Sequence, residues 1–196
     1  ISMDGRLVGI NSAIYSKTGG SHGIGFAVPS AMVRAVLASA KAGLSHVKRP
    51  WLGASTQAVT ADIATSIGMK RPRGVMVRSV FPDGPADRAG VVVGDVVLAV
   101  DGHDISSPTA LNFRLGTRLI GENAPFSIMR HGSLRKFTLK LVAAPERPAR
   151  NSTKLTGRQP LANATVANLS PALAEELGQD TLGRGVIVMQ VDGQTP

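Results

Sequence analysis

One segment of the chain reads Phe81-Pro-Asp-Gly-Pro-Ala-Asp-Arg-Ala-Gly-Val-Val-Val-Gly-Asp-Val-Val-Leu-Ala-Val-Asp-Gly102. The Pro-Asp-Gly triplet favours a tight turn, and Pro85 suits the first position of a helix because its ring already fixes φ. Gly90 is placed to end that helical turn. From Asp95 to Val100 the residues are apolar and mostly β-branched between two glycine-containing reversals, so they predict a buried strand.

The sequence around this segment predicts a small domain rich in strands. We expect strands from Trp51 to Gln57 and from Gly74 to Val80, with a short helix from Ala61 to Ile67 between them. A longer helix is predicted from Pro108 to about Leu119, because leucines recur along one of its faces. A hairpin between Phe126 and Val142 closes the domain, since its second strand alternates apolar and polar residues.

A separate unit is predicted before this domain. The pattern favours a strand from Arg6 to Ile14, a glycine-rich loop, and a second strand from Ile24 to Val28, which together form a hairpin. A helix follows, with Ser30 as its expected cap and Gly43 at its end.

The chain repeats itself beyond the central domain. Residues 145–158 are rich in proline and polar residues without periodicity, which is typical of a linker. After it, Gly185-Val-Ile-Val matches Gly74-Val-Met-Val, and the helix before each copy matches as well. The match ends at Pro196, so we expect an incomplete and partly ordered second copy.

Composition excludes several classes of protein. The 196 residues are 43% hydrophobic with a mean hydropathy of +0.10, which is enough to bury a core. No apolar run approaches the ~20 residues of a membrane span. The absence of cysteine excludes disulfides without identifying a compartment. No basic and apolar leader is present, so we expect any targeting signal to lie outside this sequence.

The chain is strongly basic, with a net charge of +9 and a pI near 10.8. Nucleic acid is therefore a candidate partner. However, the lysines and arginines are spread singly, and the seven aromatic residues are too few and too scattered for base stacking. We predict a solvated basic surface and no nucleic-acid partner.

Neither a catalytic centre nor a cofactor site is predicted from the residues themselves. Ser21 and His22 are adjacent in a loop and lack the Gly-x-Ser-x-Gly elbow of a nucleophile. The four histidines stand apart without metal-ligand spacing, so no metal is predicted. Gly23-x-Gly25 is followed by Val28 where a dinucleotide fingerprint needs a third glycine, so no cofactor is predicted.

Several motifs together resemble one family. Val8-Gly-Ile-Asn-Ser-Ala-Ile-Tyr15 and Gly23-Ile-Gly-Phe-Ala-Val-Pro-Ser-Ala-Met-Val33 resemble the last strands and exit helix of the trypsin-like protease domain in the DegP/HtrA (Do-like) family. The segment from Phe81 to Gly102 resembles part of a PDZ domain. The resemblance covers essentially the whole chain.

The resemblance implies a mainly β fold with short helices, of the α+β class. The implied units are a protease-domain tail (1–44), a short linker (45–49), a first PDZ domain (50–144), a second linker (145–158) and a truncated second PDZ domain (159–196). The first PDZ domain is expected to be a small, partly open β-barrel with two helices.

The same resemblance implies a function in protein quality control. Family members of this kind are serine endoproteases of the Gram-negative periplasm that form trimer-based assemblies and act on unfolded or misfolded proteins. Their catalytic triad precedes the strand at Val8, so we expect no catalytic residue in this chain and no cleavage by it alone. Ile24, Gly25 and Phe26 would form a wall of the specificity pocket.

The binding chemistry implied by the resemblance lies in a peptide groove. Trp51-Leu52-Gly53-Ala54 matches the family's carboxylate-binding loop, and glycine there lets the backbone approach an anion. A peptide would then pair as an added strand with the segment from Ala54 to Gln57, through Ser55 and Thr56.

The helix carrying Leu111 and Leu115 would close the groove, and Leu52, Ala54 and Leu111 would hold the last apolar side chain. Leu52, Leu111 and Leu115 are also compatible with an ordinary core role. Two functions stay open: the recognition part of a DegP-like protease that binds C-terminal peptides, or a non-catalytic PDZ adaptor or holdase.

Overall fold

The computed structural model describes residues 1–14, 25–43 and 47–191, in which strands predominate and the helices are short. The N-terminal unit is an antiparallel hairpin of β1 (Gly9–Ile14) and β2 (Gly25–Pro29), followed by α1 (Ser30–Lys41). Ser30 is the first helical residue and not the cap that we predicted. Pro29 takes the cap position and makes no side-chain hydrogen bond there.

The central unit, called the first repeat, contains a six-stranded antiparallel sheet in the order β3-β4-β5-β7-β8, with β6 beside β5. Its strands are β3 (Ala54–Ala58), β4 (Val75–Val80), β5 (Val96–Val100), β6 (His103–Asp104), β7 (Asn123–Arg130) and β8 (Ser133–Lys140). Its helices are α2 (Ala61–Ser66), α3 (Pro85–Arg88) and α4 (Pro108–Gly116). The predicted mainly β, α+β class is confirmed, and the described strands form no closed barrel.

The core of the first repeat is built on β5. All five of its residues are buried, because β5 lies inside the sheet and packs on both faces. Phe126, Ile128 and Leu111 are the largest side chains packed with it, and each is at most 1% exposed. The predicted buried strand therefore forms the centre of the domain.

An ion pair fixes the loop before β5 to β7. The Asp95 side chain is fully buried and accepts two hydrogen bonds of 2.7 Å from the Arg130 guanidinium. The backbone N–H of Val92 donates to the same carboxylate at 2.9 Å. Arg130 also donates to the Gly90 carbonyl and stacks 5.0 Å from the centre of the Phe137 ring. The hydrogen bond with Asp95 raises the pKa of Arg130.

The second repeat is a three-stranded sheet in the order β11-β10-β9. Its elements are β9 (Thr153–Lys154), β10 (Ala164–Asn168), α5 (Pro171–Glu176) and β11 (Val186–Val191). The repetition extends to register: Ala164 pairs with Val191 as Ala54 pairs with Val80. A bulge follows the second residue in both β3 and β10. Within the described residues the second copy therefore repeats the strand pairing of the first up to Val191, and its partial order stays a prediction.

The predicted linker is not a free tether. We call Pro145–Leu155 the strap, because it packs along the second repeat. Arg150 lies 2.8 Å from a Glu146 oxygen and 2.6 Å from a Glu176 oxygen. The backbone N–H of Asn168 donates to the Arg150 carbonyl at 2.7 Å. These bonds need no apolar periodicity, which is why the composition of this segment resembled a linker.

Candidate peptide-binding groove

A groove runs between β3 and α4 of the first repeat. Within the described ranges β3 pairs with β4 alone, so its other edge is open. A cavity of about 380 Å³ lies along that edge. Its walls are Ala54, Ser55 and Thr56 from β3, and Pro108, Asn112, Leu115 and Gly116 from α4. An extended chain can add to such an edge as a further strand.

Two backbone amides are available at the head of this groove. The Leu52 carbonyl accepts the N–H of Ala86 at 3.1 Å, and the Gly53 carbonyl accepts the N–H of Phe81 at 2.7 Å. Among the described residues no hydrogen bond leaves the N–H of Leu52 or Gly53. In a trans peptide the N–H points away from the preceding carbonyl, so the Gly53 N–H is directed away from Ala86. The loop can therefore offer amides to an anion.

The loop is positioned by the segment from Phe81 to Gly102. Gly53 has φ +69°, and a Cβ there would lie 2.9 Å from Pro85 Cδ and 3.3 Å from Trp51 Cζ3. Trp51 meets the Phe81 ring edge to face at 5.1 Å between ring centres. The turn and α3 thus donate hydrogen bonds to both loop carbonyls and pack against the loop.

The predicted hydrophobic contacts of the groove are mainly core residues. Leu52, Leu111 and Leu115 are 9%, 1% and 3% exposed and belong to one hydrophobic cluster. Leu115 also lines the cavity, whereas Leu111 lies in the core and is absent from the cavity wall. We did not predict Asn112 as a lining residue. Its spacing of four residues from Pro108 at the start of α4 was the available signal.

Residues of the second repeat face the same groove, which the sequence did not predict. The Trp51 indole Nε1–H donates to Thr181 Oγ1 at 3.0 Å. Glu175, Gln179, Asp180 and Thr181 line the cavity together with β3 and α4. The groove is therefore open at its amides but partly faced by the turn after α5.

The predicted specificity-pocket wall is only partly described. Ile24 and the Ser21-His22 pair lie outside the described residues. Phe26 lies on β2 with 55% exposure, and its carbonyl accepts a hydrogen bond from Ser12 Oγ at 3.2 Å. The wall formed by Gly25 and Phe26 stays a prediction.

The described ranges contain no group of three or more side chains suited to holding a metal. His103 Nδ1 lies 2.9 Å from the Asp101 carbonyl, and His131 occupies the turn between β7 and β8. His131 is therefore a turn residue, whereas His103 is the first residue of β6. No described helix is long and apolar enough to cross a bilayer.

Comparison with known proteins gives a match to the PDZ domain model over residues 50–141. A probable periplasmic serine endoprotease DegP-like of Ectopseudomonas mendocina is 36% identical over 97% of this chain and 40% of its own length. The corresponding protein of Brucella suis is 34% identical over 97% of this chain and 36% of its own length. The chain therefore spans less than half of the curated relatives it matches.

Solved structures give similar matches. The HtrA-type protease AlgW with a decapeptide is 36% identical, with a TM-score of 0.50 over 72% of this chain and 43% of that chain. A variant of AlgW, also with a decapeptide, is 35% identical, with a TM-score of 0.52 over 74% of this chain and 44% of that chain.

Proposed function

The chain belongs to the DegP/HtrA family, and from that premise we propose that it is the peptide-capturing and regulatory part of a periplasmic serine endoprotease. The names of its relatives, which match it along nearly its whole length, support an endoprotease parent over a non-catalytic adaptor or holdase. In this proposal the chain supplies capture and not cleavage. We further propose unfolded or misfolded proteins as substrates and a trimer-based assembly of the parent protein.

Capture takes place in the groove of the first repeat. The C-terminus of a captured peptide adds as a strand to the open edge of β3. The peptide's terminal carboxylate accepts hydrogen bonds from the N–H groups of Leu52 and Gly53. The last side chain of the peptide rests on Leu52, Ala54 and Leu115. The observation that carries this proposal is the coincidence of an open strand edge with unpaired amides at its head.

Trp51 reports on this site because it is the single tryptophan and lies beside the loop. We expect a peptide ending in leucine with a free carboxylate to shift Trp51 emission. The same peptide with a C-terminal amide should bind about tenfold more weakly or worse, because hydrogen bonds to a charged group are lost.

A peptide of equal charge that ends in aspartate controls for attraction to the basic surface. Indistinguishable titration curves for the free acid and the amide would remove the carboxylate site from the proposal.

A further inference from the structure

The two repeats differ at one strand edge. In the first repeat the outer edge of β3 is open, whereas the matching edge of β10 is occupied by β9. Thr153 pairs with Val166 and Lys154 pairs with Thr165, in antiparallel orientation. Because β10 and β11 repeat the register and the bulge of β3 and β4, β9 lies where a peptide would lie in the first repeat.

The loops at the head of the two edges also correspond. Leu161-Ala-Asn-Ala164 stands in the second repeat where Trp51-Leu-Gly-Ala54 stands in the first. Asn163 has φ +67°, close to the +69° of Gly53. The Asn163 N–H donates to the Leu155 carbonyl at 2.9 Å, and the Leu155 N–H donates to the Ala164 carbonyl at 2.8 Å.

We infer that Thr153-Lys154-Leu155 is an internal ligand that fills the peptide site of the second repeat. The segment runs toward the loop in the direction that a C-terminal peptide requires. Leu155, which is half-buried, takes the place of the last residue, and its carbonyl takes the place of the terminal carboxylate. This assignment rests on the function proposed for the groove of the first repeat.

The part of the strap that precedes β9 keeps this ligand in place. Arg150, which lies three residues before the start of β9, forms ion pairs with Glu146 and with Glu176 of α5. A ligand tethered this closely has a high effective concentration, so a free peptide competes poorly with it. The resting chain then accepts one peptide, in the first repeat.

The internal ligand also indicates what the first groove accepts. By the repeat, the last residue of a peptide lies beside Ala54 and is apolar like Leu155. The two preceding residues face Ser55 and Thr56 in an extended conformation, as Lys154 and Thr153 face β10. A peptide ending in Thr-Lys-Leu with a free carboxylate is therefore a suitable probe of the groove of the first repeat.

Amide hydrogen exchange of the whole chain, followed by NMR, tests the inference without any peptide. We expect the N–H groups of Asn163 and Leu155 to exchange at least ~100-fold more slowly than that of Gly53, after correction for intrinsic rates. Equal corrected rates for Asn163 and Gly53 would overturn the internal ligand.

Leu155→Pro removes the N–H that bonds to Ala164, and Leu155→Met keeps both the N–H and an apolar side chain. We expect Asn163 exchange to accelerate at least tenfold in the proline variant and to stay unchanged in the methionine variant. Unchanged Asn163 exchange in Leu155→Pro would contradict the inference. If the proline variant does not fold, the comparison of Asn163 with Gly53 in the unmodified chain decides.

The Thr-Lys-Leu peptide then separates the two proposals. At saturation it should slow Gly53 exchange in the unmodified chain and leave Asn163 exchange unchanged. If the peptide slowed Asn163 exchange as much as Gly53 exchange, the site of the second repeat would not be filled by the internal ligand. If the peptide did not change Gly53 exchange, the proposed peptide site of the first repeat would be wrong. The exchange rates measured without peptide would still test the internal ligand.

Discussion

Gly53 and Asn163 occupy corresponding positions with nearly the same left-handed backbone, yet different constraints apply to them. Asparagine adopts positive φ more readily than most residues, so Asn163 meets the conformational requirement of this position. At Gly53 a Cβ would also meet the ring of Pro85 at 2.9 Å. Glycine in the first repeat therefore serves both the turn and close packing, and replacing it would disturb folding as well as binding.

Arg130→Met tests the buried ion pair at the level of single residues. The change leaves the fully buried Asp95 carboxylate without its charged partner, and breaking such a pair costs about 3–5 kcal/mol of unfolding free energy. Urea denaturation measures this loss. Arg135→Met, at an exposed position of β8, is the matched control and should change stability by less than about 0.5 kcal/mol. Similar midpoints for both variants would show that the pair contributes little.

The strap is an element held by charge and by its backbone. Its carbonyls at Pro145, Ala149 and Arg150 accept hydrogen bonds from Ala172 and Asn168 of the second repeat. Such bonds depend on where the backbone lies and hardly on which side chains it carries. The strap therefore links α5 to the internal ligand without leaving a hydrophobic pattern in the sequence.

Acid should loosen the strap through Glu146. The hydrogen bond from Arg150 lowers the pKa of Glu146 below its ordinary value of 4.5. A lowered folded-state pKa gives a contribution that is complete above about pH 4.5 and is lost as the pH falls through the lowered value. The corrected exchange rate of the Asn168 N–H, which bonds to Arg150, should stay constant above that pH and rise below it.

Glu146→Gln is the control for this titration. It removes the titrating group, so the acid-dependent part of Asn168 exchange should disappear. The same pH dependence in both proteins would assign the effect to another group.

At the level of the whole molecule, the second repeat faces the groove of the first. Thr181 accepts a hydrogen bond from Trp51, and Asp180 lines the same cavity as Ser55 and Asn112. A peptide entering the groove must displace this turn or share space with it. We therefore propose that the second repeat restrains capture by the first.

Thr181→Val removes the acceptor while keeping the shape of the side chain. One hydrogen bond contributes about 0.5–1.5 kcal/mol net, so the affinity of the groove for the Thr-Lys-Leu peptide should rise about two- to tenfold. Titration followed by Trp51 fluorescence measures this affinity. Thr156→Val, which changes an exposed threonine, is the control. An unchanged or lower affinity in Thr181→Val alone would show that the turn does not restrain the groove.

Local patterns were enough to predict the order of the main elements. The turn, helical turn and buried strand between Phe81 and Gly102 follow from proline, glycine and β-branched residues, whose preferences act over a few neighbours. The internal repeat also appeared directly in the residues. The open or occupied state of a strand edge was beyond such patterns.

Three features depended on the folded chain: β9 beside β10, the strap along α5, and Thr181 at Trp51. Each joins segments through backbone groups or single polar contacts, which many sequences can supply. Apolar periodicity and turn residues are local and leave a trace in the sequence. Pairing between distant segments is settled only when the packed core brings their backbones within hydrogen-bond distance.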